Sequence, residues 1–205
     1  MRKLSSTWII GASSGIGAAL AREIASAGGD LFLSSRDLES LLTVKESLSM
    51  MPGDEAHCYP LDVADWSQVA TAAEKIFKGD GIQRVVFMAA LYDPMPLAEL
   101  DVVSSERIID VNLKGLLNVL NCVVPFLRRQ ADSQIAICSS LAGYRGLPNA
   151  QPYAATKAAA TNIAESLRIE EAGLIDVKLI NPGFVETRLT KKKYFSNAVF
   201  ADYRS

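Results

Sequence analysis

Short apolar runs alternate along this chain with longer segments of helical period. Thr7 to Ile10 predicts a strand that breaks at Gly11; from Gly15 onward Ile16, Leu20, Ile24 and Ala27 recur at helical spacing until Gly28-Gly29 ends the helix. Leu31 to Leu33 predicts a second strand, and Leu38 to Leu48 a second helix stopped before Pro52. Ala56 to Leu61 reads as a third strand, followed by a helix that opens near Asp65 as N-cap with Gln68 at the capping-box position. Arg84 to Met88 supplies a fourth strand, and a long helix runs from about Ser104 to Arg129 with Pro125 as its candidate kink. Ile135 to Cys138 is the fifth strand, Tyr153 to Glu171 a helix rich in alanine, and Val177 to Ile180 a sixth strand stopped by Asn181-Pro182-Gly183.

Crossovers of this length join parallel strands, and a parallel sheet needs helices on both faces. The expected fold is therefore α/β, a doubly wound parallel sheet of six to seven strands, with ligands bound at the carboxyl ends of the strands. No internal repeat or linker interrupts the pattern, so residues 1–205 are read as one domain in which 189–205 form a shortened tail.

Hydrophobic residues make up 49% of the chain, enough for a core covered on both faces, while charged residues make up 21% and the net charge is −2. That balance argues against a nucleic-acid partner. The one basic cluster, Arg188 with Lys191-Lys192-Lys193, reads as a solvated surface turn. Cys58, Cys122 and Cys138 are far apart and odd in number, which fits reduced core thiols of a cytoplasmic protein. His57 has no second ligand nearby, so no metal is expected. Met1-Arg2-Lys3 resembles a signal n-region, but the apolar stretch Trp8-Ile9-Ile10 is too short for a secretory signal, and no run reaches spanning length, so no membrane partner is expected.

Gly11-Ala12-Ser13-Ser14-Gly15-Ile16-Gly17 lies where the first strand becomes the first helix. Glycines there permit a sharp turn and let a pyrophosphate approach the amides of the helix start; the alternative is an ordinary glycine-rich connection. The second strand ends in Ser34-Ser35-Arg36. An acid at that place would bind a free ribose 2′-hydroxyl, whereas arginine accommodates a 2′-phosphate, so NADP(H) is favoured over NAD(H). Against this stands Arg36 as a plain surface cation neutralised by Asp37.

Tyr153 and Lys157 are four apart on one helix face. A free tyrosine titrates near 10, and a lysine ammonium held close favours the phenolate, so the pair predicts a tyrosine of lowered pKa able to move a proton on or off a substrate oxygen. Ser140, at the carboxyl end of the fifth strand, can hydrogen-bond that oxygen, with Ser139 as the neighbouring alternative. Asn112 sits within the long helix, where an amide is mildly unfavourable unless it faces solvent or has a task.

The G-x-x-x-G-x-G spacing and the set Asn112, Ser140, Tyr153 and Lys157 resemble the short-chain dehydrogenase/reductase family over about Thr7 to Thr187. The resemblance implies a Rossmann-like enzyme that moves a hydride between NADP(H) and a carbonyl or alcohol. It implies Tyr153 as acid/base, Ser140 orienting substrate, Lys157 also holding the nicotinamide ribose, and Asn112 positioning a water. It further implies cofactor contacts from Gly11, Ser13, Ser14, Gly15, Ile16, Gly17, Arg36, Asp62, Val63, Ala89, Pro182, Gly183, Val185 and Thr187; Asp62 would bond the adenine amine unless it serves as a helix N-terminal acid. Three departures stand out. Ile10 replaces a threonine whose hydroxyl steadies the loop, Phe87-Met88-Ala89-Ala90 replaces Asn-Asn-Ala-Gly, and only Leu189 to Ser205 remain where the family adds a lid, a helix and a last strand. That ending leaves the sixth strand as an expected edge.

The same residues admit two rival functions. One is a cofactor-binding regulator or scaffold with little catalysis; the other is a nucleotide-sugar epimerase or dehydratase, for whose substrate domain the chain has no room. A homodimer is expected because Ala154, Ala155, Ala158, Ala159 and Ala160 give their helix small faces, one to cover the sheet and a second without a partner in the chain, and because the helix around Leu116, Leu117, Leu120 and Val124 is similarly apolar.

Overall fold

The computed structural model describes residues 6–78, 82–183 and 185. Strand β1 (Thr7–Ile10) leads into helix α1 (Gly15–Ala27), then β2 (Leu31–Ser34), α2 (Leu38–Glu46), β3 (Ala56–Cys58), α3 (Trp66–Phe77) and β4 (Arg84–Phe87). Helix α4 (Val102–Ile109) passes through a π turn (Asp110–Lys114) into α5 (Gly115–Leu127), followed by β5 (Gln134–Cys138), α6 (Tyr153–Glu170) and β6 (Asp176–Ile180). Every pairing is parallel, in the order β3-β2-β1-β4-β5-β6. The order reverses between β1 and β4, and that switch point is where a doubly wound sheet opens a crevice.

Period-two alternation divides β1 between two cores. Trp8 and Ile10 face a layer built by α3, α5 and α6, with Val69, Ile76, Leu116, Val123 and Ala164 fully enclosed. Ile9 faces the other layer, where Ala18, Ala21 and Ala25 let α1 lie close to the sheet beside Leu41 and Val44 of α2. Aspartates start the helices: Asp37 accepts from the amides of Glu39 and Ser40, Asp65 from those of Ser67 and Gln68, and Asp101 from that of Ser104. The Gln68 side chain differs from a capping box, since its amide oxygen accepts from the Asp62 N–H, 3.0 Å away, and its nitrogen donates to Asp65. Asp65's own N–H is already given to the Asp62 carbonyl.

Three expectations are corrected. The long helix departs from α geometry at Asp110–Lys114, while Pro125 lies inside α5. Val102–Leu127 contains an 18-residue window with a mean hydropathy of 1.3, long and apolar enough to span a membrane, contrary to the reading that no run is; half of that window is buried inside the fold. Strands β3 and β2 end at Cys58 and Ser34 rather than Leu61 and Leu33. Among the described residues β6 is an edge, and its exposed positions carry Asp176 and Lys178, ion-paired at 2.9 Å, charges that discourage further pairing. Thr187, the basic cluster and the tail from Leu189 lie outside the described residues.

Candidate active site

The crevice at the switch point is a cavity of about 460 Å³, within the usual range of roughly 300–1,000 Å³ for ligand sites. The glycine loop forms one end. Gly11 has φ +97°, and a Cβ there would lie 2.5 Å from the Ala89 nitrogen, so the chain turns hard against the end of β4. A Cβ on Gly17 would lie 2.2 Å from the Gly11 carbonyl oxygen, so α1 starts directly on the loop. The Ser34 carbonyl accepts from Gly11 N at 2.7 Å and Ala12 N at 3.1 Å, and the Ser34 hydroxyl accepts from the Trp8 indole at 2.9 Å. These ties hold the loop where Ile10 offers no hydroxyl.

The first-turn residues of α1, Gly15 to Gly17, line the cavity, and the amides of a helix start have no acceptor within the helix, a cradle suited to a phosphate. Ser13 and Ser14 stand beside them, and the Ser14 hydroxyl makes no capping bond. Arg36, Asp62 and Val63 line the same end. Asp37, beside Arg36, gives both carboxylate oxygens to the start of α2, including a contact to the Ser40 hydroxyl. Asp62 accepts from the Ala64 amide at 3.0 Å. Backbone amides, hydroxyls and one guanidinium are a donor set that fits a dinucleotide carrying an extra phosphate.

The other end gathers Ala89, Ser140, Tyr153, Lys157, Pro182, Gly183 and Val185. Ser140 and Ser139 separate cleanly. Ser139 is buried and turned into the fold, its hydroxyl bonded to the Lys157 carbonyl at 2.7 Å and Thr161 Oγ1 at 2.8 Å. The Ser140 hydroxyl accepts from the Ala142 amide at 3.2 Å and lies beside the Tyr153 phenol, whose pKa it acts to lower. Gly143 lets the segment after β5 touch α6, because a Cβ there would meet the Lys157 backbone at 2.9 Å.

Lys157 is almost fully enclosed; its ammonium donates to the Cys138 carbonyl at 2.8 Å and sits 5.6 Å above the Tyr153 ring centroid. Burial lowers its pKa, partly offset by Cys138. Tyr153 differs from the sequence expectation: burial pushes its phenol up to about 12, against the Ser140 hydrogen bond, with Cys138 and Tyr92 adding to the rise. The lysine faces a carbonyl and the ring face rather than the phenol oxygen, so desolvation wins.

Asn112 is not solvent-facing. It is buried, donates to the Leu91 carbonyl at 2.9 Å and to Thr156 Oγ1 at 3.1 Å, and accepts from Leu91 N at 2.7 Å. It lies behind the cavity wall and clamps the segment after β4 to α6. Sequence reading missed the lining contributed by Ser35, Met88, Ala90 and Leu91, which flank motif residues at strand ends. No cluster of metal-ligating side chains occurs among the described residues. His57 instead stacks on Phe32 at 5.1 Å and lies 3.3 Å from a Glu55 carboxylate oxygen.

A profile of the short chain dehydrogenase family matches residues 6–197. The chain is 34% identical over 189 residues to the 3-oxoacyl-[acyl-carrier-protein] reductase FabG of Thermotoga maritima, covering 90% of this chain and 75% of that one. It is 33% identical over 186 residues to sulfoacetaldehyde reductase 2 of Chromohalobacter salexigens, covering 89% and 73%. Among solved structures, a gluconate 5-dehydrogenase from Burkholderia cenocepacia in complex with NADP and tartrate superposes with a TM-score of 0.84 at 25% identity, covering 96% of this chain and 78% of that one.

Proposed function

The chain belongs to the short chain dehydrogenase family, an oxidoreductase family, and we propose that it is an NADP(H)-dependent enzyme interconverting a small-molecule carbonyl and its alcohol. The observation that carries this is the meeting of Ser140, Tyr153 and Lys157 at one end of a cavity whose other end is the glycine loop with Arg36. The amides of α1 with Ser13 and Ser14 would hold the pyrophosphate, Arg36 the 2′-phosphate, and Lys157 the nicotinamide ribose. NADP(H), when bound, supplies or accepts the hydride.

Tyr153, protonated at neutral pH with its phenol near 12, gives its proton to the carbonyl oxygen as the carbon is reduced, and regains one from solvent through neighbouring groups. Ser140 donates a hydrogen bond to the same oxygen and stabilises the charge that develops there. In the reverse direction Tyr153 must first lose its proton, and bringing Lys157 closer to the phenol oxygen would favour that loss. The NADP complex of the Burkholderia relative is consistent with the cofactor choice.

Fluorescence titration of both nucleotides tests the reading: NADPH should bind more tightly than NADH, and Arg36→Ala should weaken NADPH selectively. Nucleotide consumption with a panel of ketones and aldehydes should be lost in Tyr153→Phe while nucleotide affinity is kept. Tight NADPH binding without turnover of any carbonyl would favour a scaffold instead. A cytoplasmic setting is supported by the unpaired thiols of Cys58, Cys122 and Cys138. A homodimer is supported by Ala155 and Ala158 of α6, which are exposed, and by Leu117 of α5, 49% exposed; light scattering checks it, and a strict monomer would refute it.

A further inference from the structure

Tyr92 lies in the segment after β4 and does not line the cavity among the described residues. Its ring is 9% exposed and packs against that of Tyr153, the centroids 4.7 Å apart and the planes 50° from one another. Such tilted pairs are a preferred aromatic contact. Both neighbours of Tyr92 are tied down. Asn112 grips the N–H and the carbonyl of Leu91, and the Asp93 carboxylate accepts from the Ser104 hydroxyl at 3.0 Å. Two residues further, Met95 N donates to the Asn149 carbonyl at 3.1 Å, joining this segment to the one that enters α6.

The second ring is referenced to the same amide. Asn112 also donates to Thr156 Oγ1, and that hydroxyl donates to the Tyr153 carbonyl at 2.7 Å. One side chain thus fixes both backbones that carry the rings, and the ring contact closes the loop. A phenol with two free torsions is held by this frame at the place where Ser140 and a substrate oxygen meet.

We propose that Tyr92 is a positioning residue for the reaction, its ring holding the Tyr153 phenol in the orientation from which proton transfer occurs. The inference rests on Tyr153 being the proton-transfer group, and it acts wholly through that residue. Among the described residues the titratable groups facing Tyr153 are Cys138 from β5, Lys157 from α6 and Tyr92 itself, with the Ser140 hydroxyl beside them.

The test uses the full chain labelled with ¹³C in its tyrosine rings, the Tyr153 signal being assigned by its loss in Tyr153→Phe. Tyr92→Leu should leave NADPH affinity unchanged, lower the order of the Tyr153 ring, and reduce the rate of carbonyl reduction by roughly tenfold to a hundredfold, the scale of a small misplacement at a reacting centre. Its alkaline limb, where the phenol is lost, should move to lower pH because solvent reaches the oxygen. Tyr92→Phe, which keeps the ring, should restore order, rate and profile. An ordered Tyr153 ring with an unshifted rate in Tyr92→Leu overturns the proposal, as does a Tyr92→Phe variant as impaired as Tyr92→Leu. If Tyr92→Leu does not fold, Tyr92→Met is read in the same way. If no carbonyl is reduced by the unaltered protein, the proposed function fails, yet ring order still decides whether Tyr92 holds Tyr153.

Discussion

Gly17→Ala is the sharpest test of how the cofactor cradle is built. The added methyl would lie 2.2 Å from the Gly11 oxygen, 3.0 Å from the Gly11 carbonyl carbon and 3.3 Å from Ala12 Cα. An ordinary carbon–oxygen approach is about 3.3–3.6 Å, so a gap of about 1 Å must open. All three neighbours are backbone, and none can turn aside as a side chain would. Gly11 cannot withdraw either, because it is wedged against the Ala89 nitrogen at φ +97°. The helix start must therefore lift away from the loop, carrying the amides of residues 15 to 17 out of register with a bound pyrophosphate. Overpacking of this kind costs roughly 1–3 kcal/mol, which, if it falls on binding, weakens NADPH about five- to 150-fold. Fluorescence titration with NADPH, beside a thermal melt, reads both parts. Gly146→Ala is the control, since a Cβ there meets nothing within 4 Å. A Gly17→Ala protein with unaltered NADPH affinity and melting temperature would refute the close-contact account of the loop.

The two adjacent serines should respond oppositely: Ser140→Ala should cut turnover with little change in Tm, whereas Ser139→Ala, which deletes a buried hydroxyl bonded to Lys157 and Thr161, should cost about 1–3 kcal/mol by denaturant titration. Arg128→Ala should lower Tm by several degrees, because Glu171, 2% exposed, loses a bidentate partner whose two contacts are both 2.7 Å; an unchanged Tm would show that water reaches that carboxylate. Asn112→Ala should destabilise the fold by about 1–3 kcal/mol for each group of Leu91 left unpaired, and Asn112→Asp should fail to rescue it, since an oxygen would replace the nitrogen that donates to Leu91 and Thr156. Equal stability of Asn112→Asp and the unaltered protein in a denaturant melt would remove the clamp.

Much of this architecture was legible because it is local. Alternation and crossover length predicted the six strands and the parallel sheet, and the position of Gly11 to Gly17 on the first strand-helix turn pointed to the cradle. Tyr153 and Lys157 are readable because helical spacing alone puts them on one face. The hidden part depends on residues distant in sequence. The choice between Ser139 and Ser140 turns on which hydroxyl meets Thr161 and which meets Tyr153, a matter of how β5 ends against α6. The raised pKa of Tyr153 comes from burial, with Cys138 and Tyr92 adding to it, which no spacing reports. Tyr92 itself falls in a stretch without periodicity, and its meaning comes only from the ring 61 residues away in the chain, at a 4.7 Å separation in space.

Asn112 makes the same point through the helix that bears it. An uninterrupted α-helix would bond each N–H four residues back, but the Gly115 N–H reaches the Asp110 carbonyl, five back. Such π turns insert one residue and rotate the downstream helix by about 100° relative to the upstream one. Here the insertion brings both Val111 and Asn112 inward and sets Gly115 so close to Val63 that a Cβ would meet its methyl at 2.6 Å. The apolar stripe of α5 can then serve the core while the amide one turn earlier serves Leu91 and Thr156. A straight helix would have to choose between packing Leu116 and Val119 on the sheet and aiming Asn112 at the segment that carries Tyr92. The irregular turn lets one helix do both, and so joins the segment after β4, α5 and α6 behind the cavity.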